Sequence, residues 1–318
     1  MRNIKLLLAY DGTEYHGWER QKDQRTVQQT LEEAIEALTG EKVSTVASGR
    51  TDAGVHALGQ VVHFHTDTAH DPATIVRALN AHLPDDIVVR EAQEVSLEFH
   101  ANFDVRHKLY RYVIDDGPVP DPFLCRYACH SKFALDAAAM HRAAQCLLGT
   151  HDFHSFETRW PNRASSVRTI MHIAVGRAGP WRLWHPEPIA PDEAVSGEGS
   201  SLGDQGPGVG ESASRRVGEP EHRESGQGHE ISSTSPAPAI PDPRPLTPDP
   251  YVYIDVEADG FLYNMVRAIA GTLMNVGRGY WPPERVQAIL EARDRRFAGP
   301  TAPAQGLFLV RVVYGDRS

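Results

Sequence analysis

The first hundred residues switch between two periods, and that alternation restricts the chain to layers of strands and helices. Residues 3–10, Asn-Ile-Lys-Leu-Leu-Leu-Ala-Tyr, read as a strand. Thr26-Val27-Gln28-Gln29 has the form of a capping box. Val27, Leu31, Ala34, Ile35 and Leu38 then recur at helical spacing, and Gly40 closes the run. Residues 43–48 and 60–65 read as strands, and Asp71-Pro72 opens a helix to about residue 82. Residues 87–94 read as another strand. The order strand–helix–strand–strand–helix–strand is that of a split βαβ unit, an antiparallel sheet backed by helices.

A second round follows. Residues 107–114 read as a strand, and Asp136 caps a helix through Leu148 that Gly149 stops. Residues 167–175 read as a strand, and residues 181–184 and 251–258 lie on either side of an insertion. Residues 261–276 read as an apolar helix with Leu262, Met265, Val266, Ile269, Leu273 and Val276 in one stripe. A shorter helix over 283–291 and a strand over 307–314 complete the chain. The expectation is an α+β protein in two halves of similar order, residues 1–104 and 105–318.

Residues 186–250 stand apart. They hold 12 Pro, 9 Gly, 9 Ser and no aromatic residue, so they lack the apolar surface needed to offset an ordering entropy of about 1–2 kcal/mol per residue. They read as a disordered acidic insertion, in a connection where length costs little. They also carry 12 Asp and Glu against 4 Arg. The net charge of −10 therefore falls mainly there, and the rest of the chain is close to neutral. Such a body is free to carry a local basic patch, so the total charge neither favours nor excludes a nucleic-acid partner.

Other classes are constrained more firmly. No apolar run approaches the ~18 residues of a membrane span, and the first residues do not resemble a signal peptide. Cys125, Cys129 and Cys146 are too few for a disulfide framework. A soluble cytoplasmic protein is the expectation. Cys125-x3-Cys129-His130 and His63-x-His65 lack a second ligand pair at zinc spacing. No phosphate-binding glycine motif and no Gly-x-Ser-x-Gly elbow occur.

The chemistry concentrates in Gly49-Arg50-Thr51-Asp52-Ala53-Gly54-Val55-His56, a polar, glycine-punctuated segment leading into a strand. An aspartate with an ordinary pKa near 3.9 is ionised at neutral pH, which suits nucleophilic or general-base work. Arg50, two residues before Asp52, leaves the chain on the same side if the segment is extended. The plainer reading, an aspartate bonding its own turn, stays open. In residues 107–114 the period of two puts Lys108, Tyr110, Tyr112 and Ile114 on one face and His107, Leu109, Arg111 and Val113 on the other. Interleaved aromatic and basic residues suit RNA, whose bases stack and whose phosphates pair with cations. A half-buried sheet tyrosine is the alternative. Arg267 lies about 140° from the stripe through Leu262, so it is either a solvated helix arginine or a cleft arginine facing Asp52.

Taken in order, these motifs resemble the TruA-type tRNA pseudouridine synthases. The resemblance rests on Tyr10-Asp-Gly-Thr-Glu-Tyr-His-Gly-Trp18 with Arg20-Gln21, on Thr26-Val-Gln28, and on residues 49–56 followed by Gly59-Gln-Val-Val-His-Phe64. It continues through Asn80-x-His-Leu-Pro84, Phe99-His-Ala-x-Phe103 and Lys108-Leu-Tyr-Arg-Tyr112. Asp152-Phe-x-Ser-Phe156, Phe261-Leu-Tyr-Asn-Met-Val-Arg267 and Gly306-Leu-x-Leu309 complete it. The insertion at 186–250 departs from the usual family length. The resemblance implies two ferredoxin-like (RRM-like) halves with antiparallel sheets side by side around a central cleft. It implies a homodimer that binds tRNA, without metal or cofactor. The reaction it implies is isomerisation of uridine to pseudouridine in the anticodon stem-loop, at positions 38–40. It makes Asp52 the catalytic residue and Tyr110 the residue stacked on the target base. Arg50 and Arg267 become cleft arginines, and Leu307 lines the uracil pocket. Attack of Asp52 on the base, attack on the sugar carbon, and removal of the 2′ proton are all compatible with this set. Two other readings of the same residues are a non-catalytic RNA-binding protein and a hydrolase of the N-glycosidic bond.

Overall fold

The computed structural model describes residues 1–158, 165–189 and 250–315. The elements, in chain order, are β1 (Arg2–Tyr10), α1 (Val27–Thr39), β2 (Val46–Ala47), β3 (His56–Thr66), α2 (Pro72–His82) and β4 (Ile87–Val95). Then come β5 (Val105–Asp115), β6 (Cys129–His130), α3 (Ala137–Ala144), β7 (Gly149–Asp152), β8 (Val167–Ala178) and α4 (Pro180–Leu183). The chain closes with β9 (Tyr251–Ala258), α5 (Met265–Gly277), α6 (Arg285–Ala292) and β10 (Leu307–Tyr314). Most of the insertion expected at 186–250 lies outside the described residues.

The caps behave as their side chains dictate. Thr26 Oγ1 accepts from the Gln29 N–H, Asp71 from that of Thr74 and Asp136 from that of Ala139. Gly40 ends α1 in the left-handed conformation. The helix expected over 261–276 begins only at Met265. Asn264 before it sits at φ 60°, a conformation that asparagine tolerates and a regular helix does not continue through. Residues 181–183 belong to a short helix that Pro180 opens at its first position and Trp184 caps. The expected strand over 43–48 shrinks to two residues, and β6 and β7 were too short to show any period.

The strands form one sheet in the order β4-β1-β3-β10-β5-β9-β8-β7, with β2 on β3 and β6 on β5. The two antiparallel arms expected as separate sheets are thus continuous. They join where the last strand, β10, runs parallel to β3, through Phe308 opposite His56 and Leu309 opposite Ala57. On its other side β10 pairs antiparallel with β5 over its whole length. Placing β10 there covers what would otherwise be open strand edges of both arms.

The five longer helices contribute to a single core. It takes Ile4, Leu6, Leu8 and Tyr10 from β1, Tyr110, Tyr112 and Ile114 from β5, and Met265, Ile269 and Leu273 from α5. The alternate residues of β5, Leu109 and Val113, join Phe308, Val310, Tyr253 and Leu183 in a smaller cluster on the other face. Period two therefore sorts the sheet into two faces. Asp52 and Arg267 approach from the helix face, near the join of the two arms.

Candidate active site

The segment before Asp52 is held by side chains beneath it. Gln60 donates to the Gly49 carbonyl (2.9 Å) and accepts from Ser48 Oγ (2.6 Å). The Tyr10 hydroxyl meets Thr51 Oγ1 at 2.8 Å, in the buried layer under the loop. Lys108 Nζ donates to the Ser48 carbonyl at 2.6 Å. From the other side the Trp18 N–H donates to the Thr51 carbonyl (3.0 Å) and the Gly54 N–H to the Tyr15 carbonyl (3.2 Å). Gly17, at φ 86°, lies so close that a Cβ there would stand 2.5 Å from the Thr51 carbonyl oxygen. The loop is fixed on both flanks of Asp52 while the Asp52 side chain remains 32% exposed.

Arg267 reaches this carboxylate from α5. Its Nη1 stands 3.7 Å from Asp52 Oδ2. The guanidinium is itself held, because Nε donates to the Ala302 carbonyl (2.7 Å) and Nη1 to Asn264 Oδ1 (2.8 Å). The left-handed Asn264 that delays α5 thus also supplies the acceptor that aims Arg267. Arg267 is thus largely withdrawn from solvent, at 17% side-chain exposure, and stands beside Asp52.

Arg50 stands elsewhere. Its side chain is 75% exposed and its Nε pairs with Glu19 at 2.7 Å. Tyr110 is nearly buried at 8% exposure, with its ring edge-on to Phe261 at 4.9 Å. Burial, then the neighbouring Tyr10 hydroxyl and the Asp52 carboxylate, push the Tyr110 phenol well above its ordinary value. It is a protonated donor at neutral pH. Leu307 is buried at the start of β10, in register with Tyr112. The turn before it meets the loop, since a Cβ on Gly54 would stand 3.3 Å from the Ala304 side chain.

The expectation of a basic, aromatic RNA face on β5 needs correction. Arg111 is fully buried on the face away from Asp52. It makes two bonds to Asp255 (2.7 and 2.8 Å) and donates to the carbonyls of Leu183, His185 and Glu187. Tyr112 is core, its hydroxyl bonded to the Pro303 carbonyl (2.8 Å). Only Lys108 and Tyr110 of that strand lie at the loop.

Tyr10, Gln60 and Asn264 support the loop and Arg267 without having an expected role of their own. Gln60 had a signal, a polar residue at a position where β3 turns apolar on both sides. A cavity of about 320 Å³ lies by His56, Tyr127, Trp184 and Phe308, and neither Asp52, Tyr110 nor Arg267 lines it. Among the described residues no three His, Cys, Asp or Glu side chains come together as a metal site. Nor is any described helix long and apolar enough to cross a membrane.

A constrained carboxylate, a guanidinium held by two acceptors and a protonated phenol stand together at this loop. Comparison with known proteins gives this geometry a context. A family described as tRNA pseudouridine synthase matches residues 7–104 and 143–315. The tRNA pseudouridine synthase A of Acetivibrio thermocellus is 38% identical over 314 residues, covering 99% of this chain and all of that protein. That of Brevibacillus brevis is 38% identical over 315 residues with the same coverage. That of Chloroflexus aurantiacus is 40% identical over 314 residues, 99% of this chain and 89% of the relative.

Proposed function

Since the chain belongs to the tRNA pseudouridine synthase family, we propose that it converts uridine to pseudouridine in the anticodon stem-loop of tRNA, at positions 38–40. Asp52 is the catalytic carboxylate. The observation that carries the reading is the approach of Arg267 to Asp52 at 3.7 Å, beside Tyr110, from a different arm of the sheet. The reaction is an isomerisation. The N1–C1′ bond breaks, the uracil turns, C5 bonds to C1′, C5 loses its proton and N1 gains one. Atoms and electrons balance without a redox partner.

The target nucleotide must leave its stack, at a cost of a few kcal/mol. Tyr110 offers a ring edge and a donor hydroxyl to the base, and Leu307 an apolar wall. Arg267 stabilises the charged form of Asp52. Arg50, exposed and paired with Glu19, serves the incoming phosphate backbone from the rim of the cleft. In this reading the two arms are the ferredoxin-like halves, residues 1–104 and 105–318, and the protein acts as a cytoplasmic homodimer. Sedimentation of the purified protein tests the last point, and a monomer mass at working concentration counts against it.

Asp52→Asn is the direct test. Pseudouridine formation on an unmodified tRNA transcript is expected to fall by roughly a thousandfold or more, with tRNA affinity within a few-fold. Full activity of the variant would remove Asp52 from the chemistry. Free uracil among the wild-type products would instead identify a hydrolase, and tRNA binding without product a plain RNA-binding protein.

A further inference from the structure

At the far end of α5 a ladder of rings and guanidiniums lies on the surface. Arg278 caps the helix and sits between Phe133 (5.6 Å to the ring centre) and Tyr280 (4.8 Å). Tyr280 stacks on Trp281 at 5.9 Å and 29°, and Arg285 lies over Trp281 at 6.0 Å. Phe133 is 56% and Tyr280 66% exposed, while Trp281 packs partly against the core and anchors the row. A cation at a helix C-terminus is ordinary. Three large rings kept at a surface around two guanidiniums are not explained by it.

The exposed arginines of this chain divide between those that meet a carboxylate and those that do not. The exposed Arg20, Arg25, Arg50, Arg126, Arg293 and Arg296 each have a carboxylate partner. Among the described residues Arg278, Arg285 and the adjacent Lys132 have none, nor do the exposed Arg77, Arg90, Arg106 and Arg142, but only Arg278 and Arg285 lie over aromatic rings in a row. A guanidinium stacked on a ring keeps its N–H edge outward, and that edge matches phosphate oxygens in pairs. Arg267 and Arg278 are eleven positions apart, about 16 Å along the helix and about 20° apart in rotation. They leave α5 on one side, at a separation of about five base steps.

We propose that Phe133, Arg278, Tyr280, Trp281 and Arg285 form a second RNA-binding surface, which grips stem phosphates of the tRNA whose uridine lies at Asp52. The rings hold the two guanidiniums in place, so little side-chain entropy is lost on binding. Lys132 adds a third charge. The inference rests on tRNA being the substrate.

The test is the double variant Arg278→Gln with Arg285→Gln in the full-length protein. Binding of unmodified tRNA is measured against salt, together with the single-turnover rate at saturation and the mass by light scattering. Affinity at about 0.15 M salt is expected to fall roughly tenfold, and the log–log salt slope to drop by about 1.5–2. The saturated rate should stay within about twofold of wild type, and the mass should not change. Arg278→Lys with Arg285→Lys, which keeps the charge and loses the paired edge, should restore the slope but not the full affinity. Unchanged affinity and slope in the Gln variant overturn the proposal. A changed mass with unchanged tRNA affinity also overturns it and makes the ladder a contact between copies. Failure of the functional reading shows differently, as wild-type protein that binds tRNA with this slope yet makes no pseudouridine.

Discussion

Arg267, the cleft arginine of the proposed function, illustrates how much of a side chain's placement is set by neighbours outside the site itself. Its Nε is committed to the Ala302 carbonyl and its Nη1 is shared between Asn264 and the direction of Asp52. A lysine keeps the charge but is a point donor on a flexible stem and cannot serve a carbonyl, an amide and a carboxylate from one plane. Arg267→Lys is expected to lower the single-turnover rate by roughly 10–100-fold, with most tRNA affinity kept. Rapid-quench measurement of pseudouridine at saturating enzyme checks it, and a rate within twofold of wild type would show that only the charge matters. Helical angle alone puts Arg267 off the core stripe of α5, and the side chain is indeed absent from the core. The angle could not choose between solvent and cleft, because the choice depends on the segment near Ala302, 35 residues further along. Arg111 shows the opposite failure. Its period-two position was right, but the carboxylate that buries it, Asp255, lies on a strand 144 residues away.

Among the elements, the long periodic ones were legible and the short or interrupted ones were not. Strand β10 and helix α2 follow directly from period and caps, whereas β6 exists only because β5 is there to pair with it. The connector between β4 and β5 has a further property, which its composition hid. It folds back over β3, where the Ala101 N–H donates to His63 Nδ1 (3.1 Å) and the His63 ring meets Phe99 and His100. Burial, followed by the charges of His100 and His65, lowers the His63 pKa from 6.5 to about 4, with Asp104 opposing. The unfolded chain then binds more protons than the folded one between those values. Stability from this site is complete above about pH 6.5 and is lost as pH falls toward 4. The urea midpoint of the wild type is therefore expected to fall more steeply across that window than that of His63→Gln, which has no proton to gain. Parallel pH profiles of the two proteins would show that the connector carries no such linkage.

At the scale of the whole molecule the site exists only because the two arms meet in a fixed register. Asp52 belongs to the first arm, and Tyr110 and Arg267 to the second. No sequence period could have revealed the join, since it consists of two residue pairs between strands some 250 positions apart. His56 sits on it. The ring is buried and stacked on Phe308 at 4.7 Å, and Asp11 Oδ1 stands 3.1 Å from its Nδ1. Nε2 faces the carbonyls of Arg126 (3.0 Å) and Gln305 (3.1 Å), so that nitrogen carries a proton, and the Gly12 N–H points at Nδ1 from 3.0 Å. One side chain thus ties the loop after β1, the segment before β6 and the turn before β10 to the strand that follows Asp52. His56→Leu keeps an apolar filling but leaves buried backbone groups from three segments without partners, each worth about 1–3 kcal/mol. The variant should lose about 2–4 kcal/mol of stability by urea denaturation. If His56 sets the alignment of the arms, the single-turnover rate at a temperature where both proteins are folded should also fall, by roughly tenfold or more. A variant that loses stability but keeps its rate would reduce His56 to packing and leave the alignment of Asp52 with Arg267 to the strand pairing alone.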